Sequence, residues 1–417
     1  MDRAQNINPR ILSWARETAG LSIEDAAVKL GLTNGTKVTA TEKLASLESG
    51  DEKPTRIQLM KIASTYRRPL TAFYMASPPI TADRGEDFRT LPGPVAPQES
   101  ALLDALLRDI RARHDMLRSI LEDEDEVLRL PFVGSIKIAS GIEDAVRRMK
   151  AALGVEDDRG LRRVISKPND LFTELRRRVE SIGVFVLLAG NLGTHHSNIS
   201  EKVFRGFAIA DQVAPLIVIN DQDAESARSF TLIHELSHIF IGSSGISGAP
   251  VVGEARTPHS RIERFCNDVA GEFLLPATSL PVTGKLANAA SAITQVSATA
   301  DTWKVSEAMV AYRFWRTGRI ADDVYGEIVA IYAARWLAYR ERTREQNRAD
   351  EGTGPSYYTV KKHRLGEALV RLVGRTLRAN ELTHTKAGKL LGVKASGVEP
   401  LLAGVEGLGS PKIGKAG

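Results

Sequence analysis

The sequence predicts an α+β protein that is mostly α, with five short helices at the N-terminus, a central region carrying a small β-sheet, and a helical C-terminal region. Three observations lead there. Before residue 78, short apolar segments alternate with Ser, Thr and Gly at positions that start and stop helices. Three brief β-rich runs then occur, at residues 183–188, 204–209 and 214–219. Beyond residue 228 almost every segment has helical spacing.

In order along the chain, a first helix begins at Ile11 and Gly20 ends it. Ser22 is a fitting N-cap for the next, which runs to Leu30 and stops at Gly31. A polar loop through Thr33–Thr36 leads to a third helix around Thr41–Leu47, closed by Ser49 and Gly50. A fourth spans about Arg56–Tyr66, and Pro69 starts a short fifth. Short helices joined by Gly-containing turns form a helix-turn-helix unit, assigned to residues 1–78. Residues 79–96 are rich in Pro, Gly and Asp, and a charged helix follows from about Glu99 to Leu128, so 79–134 is assigned as linker and connecting helix. A helix over Asp170–Ser181 leads into the first strand of the central region, 135–330, and a basic helical region, 331–417, completes the chain.

Composition excludes several classes. At 417 residues, with 43% hydrophobic and 26% charged, the chain is neither fibrous nor disordered and has room for two or three domains. No run of 18 apolar residues occurs, and the N-terminus lacks the apolar core of a secretory signal, so no membrane partner is expected. The single cysteine, Cys266, rules out an internal disulfide framework and fits a cytoplasmic location. The net charge of +5 is unevenly spread: residues 340–417 hold 15 Lys+Arg against 8 Asp+Glu, and residues 1–80 hold 11 against 8. Basic ends flanking an acidic middle permit nucleic-acid binding without requiring it, because basic tails are also ordinary solvated surfaces.

The chemistry concentrates at His234-Glu235-Leu236-Ser237-His238. Two histidines four apart on a helix lie on one face and can share a metal ion, while the Glu that follows the first stands beside the ion and can act as base. A catalytic zinc site needs three protein ligands and leaves one position for water. Residues 239–244 contain no third histidine, so that ligand comes from a later element. The second helix, Arg261–Pro276, offers Glu263, with Asn267 four residues on and able to orient a ligand histidine. His259 and Glu272 are the rivals, and Cys266 reads as a small core residue. His195 and His196 fall in a polar loop expected at the surface.

The run Phe204-Arg-Gly-Phe-Ala-Ile, Pro215-Leu-Ile-Val-Ile-Asn220, Phe230-Thr-Leu-Ile-His-Glu-Leu-Ser-His238 and Glu263 through Pro276 resembles the ImmA/IrrE family of metallopeptidases. Trp303–Ser306 and Tyr312–Phe314 are similar to the helical segment that often follows in that family. The resemblance implies a minimal zincin-like fold, a gluzincin-type zinc site with Glu263 as third ligand, and cleavage of a repressor or antitoxin protein. Residues 9–75, through Ala26-Ala27, Leu30-Gly31, Leu47-Glu-Ser-Gly50 and Pro54-Thr55, resemble the Cro/CI (XRE-type) helix-turn-helix. That implies DNA binding by a third helix offering Thr39, Thr41, Lys43 and Ser46, and dimers on two-fold operators. About seven extra residues lie between Gly31 and Glu48 compared with the usual tight turn, so a module that binds protein instead of DNA is the competing reading. Around Leu382–Val393 a second DNA-facing unit competes with a solvated helical tail. The functional expectation is a DNA-binding regulator with a zinc endopeptidase domain, working in a stress or mobile-element switch. Its alternative is a catalytically silent repressor or antitoxin whose metal site is structural.

Overall fold

In the computed structural model the described residues are 3–79, 96–123, 128–155, 165–194, 197–247, 257–281, 284–349 and 356–403. His195, His196, most of the expected linker and the last fourteen residues lie outside them. The α+β, mostly-α expectation holds: a four-stranded mixed sheet accompanies a predominantly helical chain. The chain divides into two compact units, Met1–Ala112 with Asn191–Val203, and Arg113–Gly190 with Phe204–Gly417.

In the first unit the helices start where side chains can satisfy their leading N–H groups. They are α1 (Pro9–Glu17), α2 (Ile23–Lys29), α3 (Ala40–Ser49) and α4 (Arg56–Thr65). Ser22 caps α2, while Thr39 with Glu42 and Thr55 with Gln58 form reciprocal capping boxes on α3 and α4. The expected fifth helix is a 3-10 turn, Leu70–Tyr74, consistent with a segment too short to propagate an α-helix after Pro69. Ile11, Leu44, Leu59, Ile62, Tyr66 and Phe73 fill the core. Above it, the Arg16 guanidinium grips Glu48 with Nε–Oε1 at 2.8 Å and Nη2–Oε2 at 2.9 Å, joining α1 to α3. The connecting helix, α5 (Pro97–Glu122), ends short of the expected Leu128.

The second unit is built on α6 (Ile142–Ala152), α7 (Pro168–Ser181), β1 (Phe185–Leu188), β2 (Gly206–Ile209), β3 (Leu216–Ile219), α8 (Arg228–Ile241), β4 (Gly245–Ser247) and α9 (Pro258–Leu274). The sheet order is β1-β3-β2-β4, with β1 parallel to β3 and the other pairs antiparallel. The three longer strands are almost wholly buried, which explains why their sequences are continuous apolar runs without alternation. β4 and α6 were not anticipated; β4 is three residues of Gly, Ile and Ser, too brief for any pattern. Four helices follow as α10 (Ala289–Trp303), α11 (Glu307–Arg316), α12 (Asp322–Ala349) and α13 (Tyr357–Leu365). Then come α14 (Glu367–Arg378), α15 (His384–Leu391) and α16 (Val398–Leu402).

The C-terminal region is no solvated tail. Arg176 on α7 is buried and donates to the carbonyls of Val186, His363 and Arg364 while pairing with Glu180 at 3.2 Å. Glu180 in turn accepts from the N–H groups of Glu367 and Ala368 at the start of α14. Arg364 reaches Asp221 at 2.8 Å, just ahead of α8. Breaking a buried ion pair by removing one partner leaves the other charge uncompensated, at about 3–5 kcal/mol. Arg176→Met is therefore expected to destabilise this unit by roughly that amount. Urea denaturation monitored by Trp fluorescence checks it through a lower midpoint.

Candidate metal centre

α8 is buried along nearly its whole length, so its histidines sit in the interior instead of on a wet face. His234 is 3% exposed, Glu235 0% and His238 1%. Gly242, at φ +79°, ends the helix in the left-handed conformation. α9 is held at its start by Thr257 and Ser260, which cap one another's backbone, with Pro258 in the first turn.

These two helices bring three ligand atoms to one point. The Nε2 atoms of His234 and His238 lie 3.1 Å apart, and Glu263 places Oε1 3.1 Å from His238 Nε2 and Oε2 3.4 Å from His234 Nε2. A tetrahedral ion bound at zinc-like distances would hold its ligand atoms about 3.3 Å apart. Among the described residues, His234, His238 and Glu263 form the group able to hold a metal ion. The rivals for third ligand are elsewhere. Glu272 pairs with Arg313 and accepts from the Ala277 N–H, and His259 sits in the first turn of α9 outside the group. Cys266 is wholly buried in the core, as expected.

Buried polar atoms support the same fit. One oxygen of Glu263, the Nδ1 atoms of both histidines and both oxygens of Glu235 are buried without a hydrogen-bond partner. Such a concentration of unsatisfied groups is uncommon in a folded interior and marks a place reserved for a ligand. Burial works against the Glu263 charge, yet the adjacent imidazoles of His234 and His238 outweigh it and hold the carboxyl well below its usual range. Glu235 goes the opposite way. Burial, reinforced by the Glu263 charge, pushes it up to about 8 despite His238. A cation bound beside it would draw it back toward the carboxylate form that a general base requires.

Asn267 lines the cleft with His234 and Glu235, so the structure brings it to the site. Its expected hydrogen bond to a ligand histidine is not made, since neither Nδ1 has a partner. Three further contributors were not foreseen. Ser247, at the end of β4, lies 2.9 Å from His234 Nε2. Gly206 opens β2 directly against Glu235; a Cβ there would stand 2.7 Å from Glu235 Oε1 and 2.7 Å from Thr231 Cγ2. Arg205 lines the same cleft, together with the apolar or aromatic side chains of Phe230, Met309, Tyr312, Tyr325 and Val329. Gly206 carried a sequence signal, because a glycine within a strand often marks close approach. Ser247 carried none.

The expected DNA-facing residues lie in the first unit. Thr39 spends its hydroxyl on capping α3 and Lys43 donates to the Thr33 carbonyl at 2.7 Å, while Thr41 and Ser46 are half-buried. The extended loop is ordered by Gly35 N–H to the Val38 carbonyl and by Asn34 Oδ1 accepting from Ala40 N–H, both at 2.8 Å.

Residues 189–314 match the IrrE N-terminal-like domain of the Peptidase_M78 family. The match takes in β2, β3, α8, β4, α9, α10 and almost all of α11, so every residue of the three-ligand group falls inside it. No curated protein and no solved structure matches the chain. The matched region is thus metallopeptidase-like, with a His-His-Glu group suited to a metal.

Two measurements follow. His238→Ala and Glu263→Ala are each expected to lower bound metal by at least about tenfold after dialysis, with Glu235→Gln retaining it; elemental analysis decides. With metal chelated, thermal stability is expected to fall as pH rises from Glu235's ordinary 4.5 toward about 8, where the unfolded chain ionises Glu235 while the folded site keeps it neutral. Glu235→Gln should flatten that dependence in melting curves recorded across this range.

Proposed function

We propose that the chain is a zinc-dependent endopeptidase of gluzincin-like type that cleaves a regulatory protein, a repressor or antitoxin, and whose N-terminal unit binds DNA. The observation that carries the peptidase reading is the convergence of His234, His238 and Glu263 beside a buried, unpaired Glu235. Zinc is favoured by two imidazoles and one carboxylate at near-tetrahedral spacing. When bound, it supplies Lewis acidity that polarises the scissile carbonyl and acidifies water. Glu235 takes a proton from water as the water oxygen bonds to the carbonyl carbon. It then delivers that proton to the leaving nitrogen as the C–N bond breaks.

The choice of a repressor or antitoxin rests on the family match together with the capped helices of the first unit, which resemble a Cro/CI-type helix-turn-helix. A cytoplasmic setting follows from such a target. DNA contact through Thr39, Thr41, Lys43 and Ser46, and dimerisation on a two-fold operator, belong to the same proposal. The competing reading is a silent repressor or antitoxin with a structural metal. A spent site has no use for a buried Glu235 at the edge of an open cleft, and that favours the enzyme.

The test is cleavage of proteins encoded beside this gene by the zinc-loaded chain. Glu235→Gln is expected to reduce turnover by at least about 1,000-fold with zinc still bound, since general base catalysis contributes on the order of 10²–10⁴ and the residue also serves as acid. Full cleavage by Glu235→Gln would sink the mechanism. For DNA, Lys43→Glu is expected to weaken binding to an operator fragment and to reduce the salt slope by about one. An unchanged slope would remove Lys43 from the interface.

A further inference from the structure

The residues described so far move the proton and hold the metal, but none of them meets the negative charge that grows on the carbonyl oxygen during attack. We propose that Arg205 does so, holding the substrate's scissile carbonyl and the oxyanion derived from it. The proposal rests on the peptidase reading of this cleft.

The main chain of Arg205 is fixed at the edge of the cleft. Its N–H donates to the Ser247 carbonyl at 2.9 Å and its carbonyl accepts from Asn220 N–H at 2.8 Å, so the main chain is locked into the sheet beside β4. The next residue, Gly206, lies against Glu235, which sets the base of the Arg205 side chain at the rim of the catalytic groups. From there the side chain lines the cleft together with His234, Glu235 and Ser247. Among the described residues that line this cleft, Arg205 alone carries a permanent positive charge.

Its donors have capacity in hand. The buried Nε meets no acceptor. Nη1 stands 3.6 Å from Asp223 Oδ2, close enough for attraction but too far for a hydrogen bond. Asp223 thus restrains the guanidinium without saturating it. The side chain is 34% exposed, so part of it remains open to the cleft. A planar guanidinium with unused N–H groups, lining the same cleft as the general base, is suited to an oxygen whose charge increases in the transition state. Tyr325, stacked on Trp315 at 4.7 Å, lines the same cleft and feels the Arg205 charge.

Calorimetry on the zinc-loaded full chain tests this with two probes: a phosphinic pseudopeptide, whose tetrahedral anion mimics the transition state, and a peptide hydroxamate, which grips zinc without that geometry. Arg205→Met is expected to weaken the phosphinate by on the order of 100-fold, leaving hydroxamate affinity and zinc content unchanged. Arg205→Lys, which keeps the charge and is the safer variant for folding, should recover part of the loss. Equal weakening of both probes, or of neither, overturns the assignment. If the wild-type chain holds zinc and binds neither probe, the peptidase reading fails with it.

Discussion

Two imidazole nitrogens 3.1 Å apart, with a carboxylate within 3.4 Å of both and a second carboxyl buried alongside, form an arrangement that freely moving side chains would relax. It persists because α8 and α9 are packed against each other and against the sheet by residues such as Leu232, Leu236, Val269 and Phe273. The cost of assembling these polar groups is therefore borne by the apolar burial around them. A shared cation would give the unpartnered atoms of this cluster a partner, linking metal binding to the stability of the surrounding unit.

The rest of the second unit serves that convergence. Gly206 removes the one side chain that would push Glu235 away, and the brief β4 carries Ser247 to His234. At the far end of α8, Gly242 turns the chain tightly against Gly134; a Cβ on Gly242 would come within 3.0 Å of the Gly134 backbone. The entry to the helix is held differently, through Asp221 bound by Arg364. This makes α13 a brace for the helix that carries His234 and His238. The basic C-terminal region thereby acquires a structural role that its charge alone would not suggest.

In the first unit the same physics works at the scale of caps. Thr39 and Lys43 were expected to face DNA by their position on the third helix. They also stabilise the start of that helix and the longer loop before it.

Much of the site was legible in the sequence. The spacing of His234, Glu235 and His238 fixes their shared helical face whatever surrounds them, because 3.6 residues per turn is a local rule. The same rule, with Thr257-Pro258 ahead and Pro276 behind, made a second helix bearing Glu263 readable. Local chemistry likewise gave the caps at Ser22, Thr39 and Thr55. What no local rule supplies is the distance between chain segments. Choosing Glu263 over His259 and Glu272, drawing Ser247 and Arg205 to the same cleft, denying Asn267 its bond to a histidine and folding the basic C-terminus onto β1 and α7 all depend on how separate elements pack. Sequence by itself determined the candidate ligand types and their helices; the tertiary structure decided which of them meet, since long-range contacts are set by core packing and not by spacing along the chain.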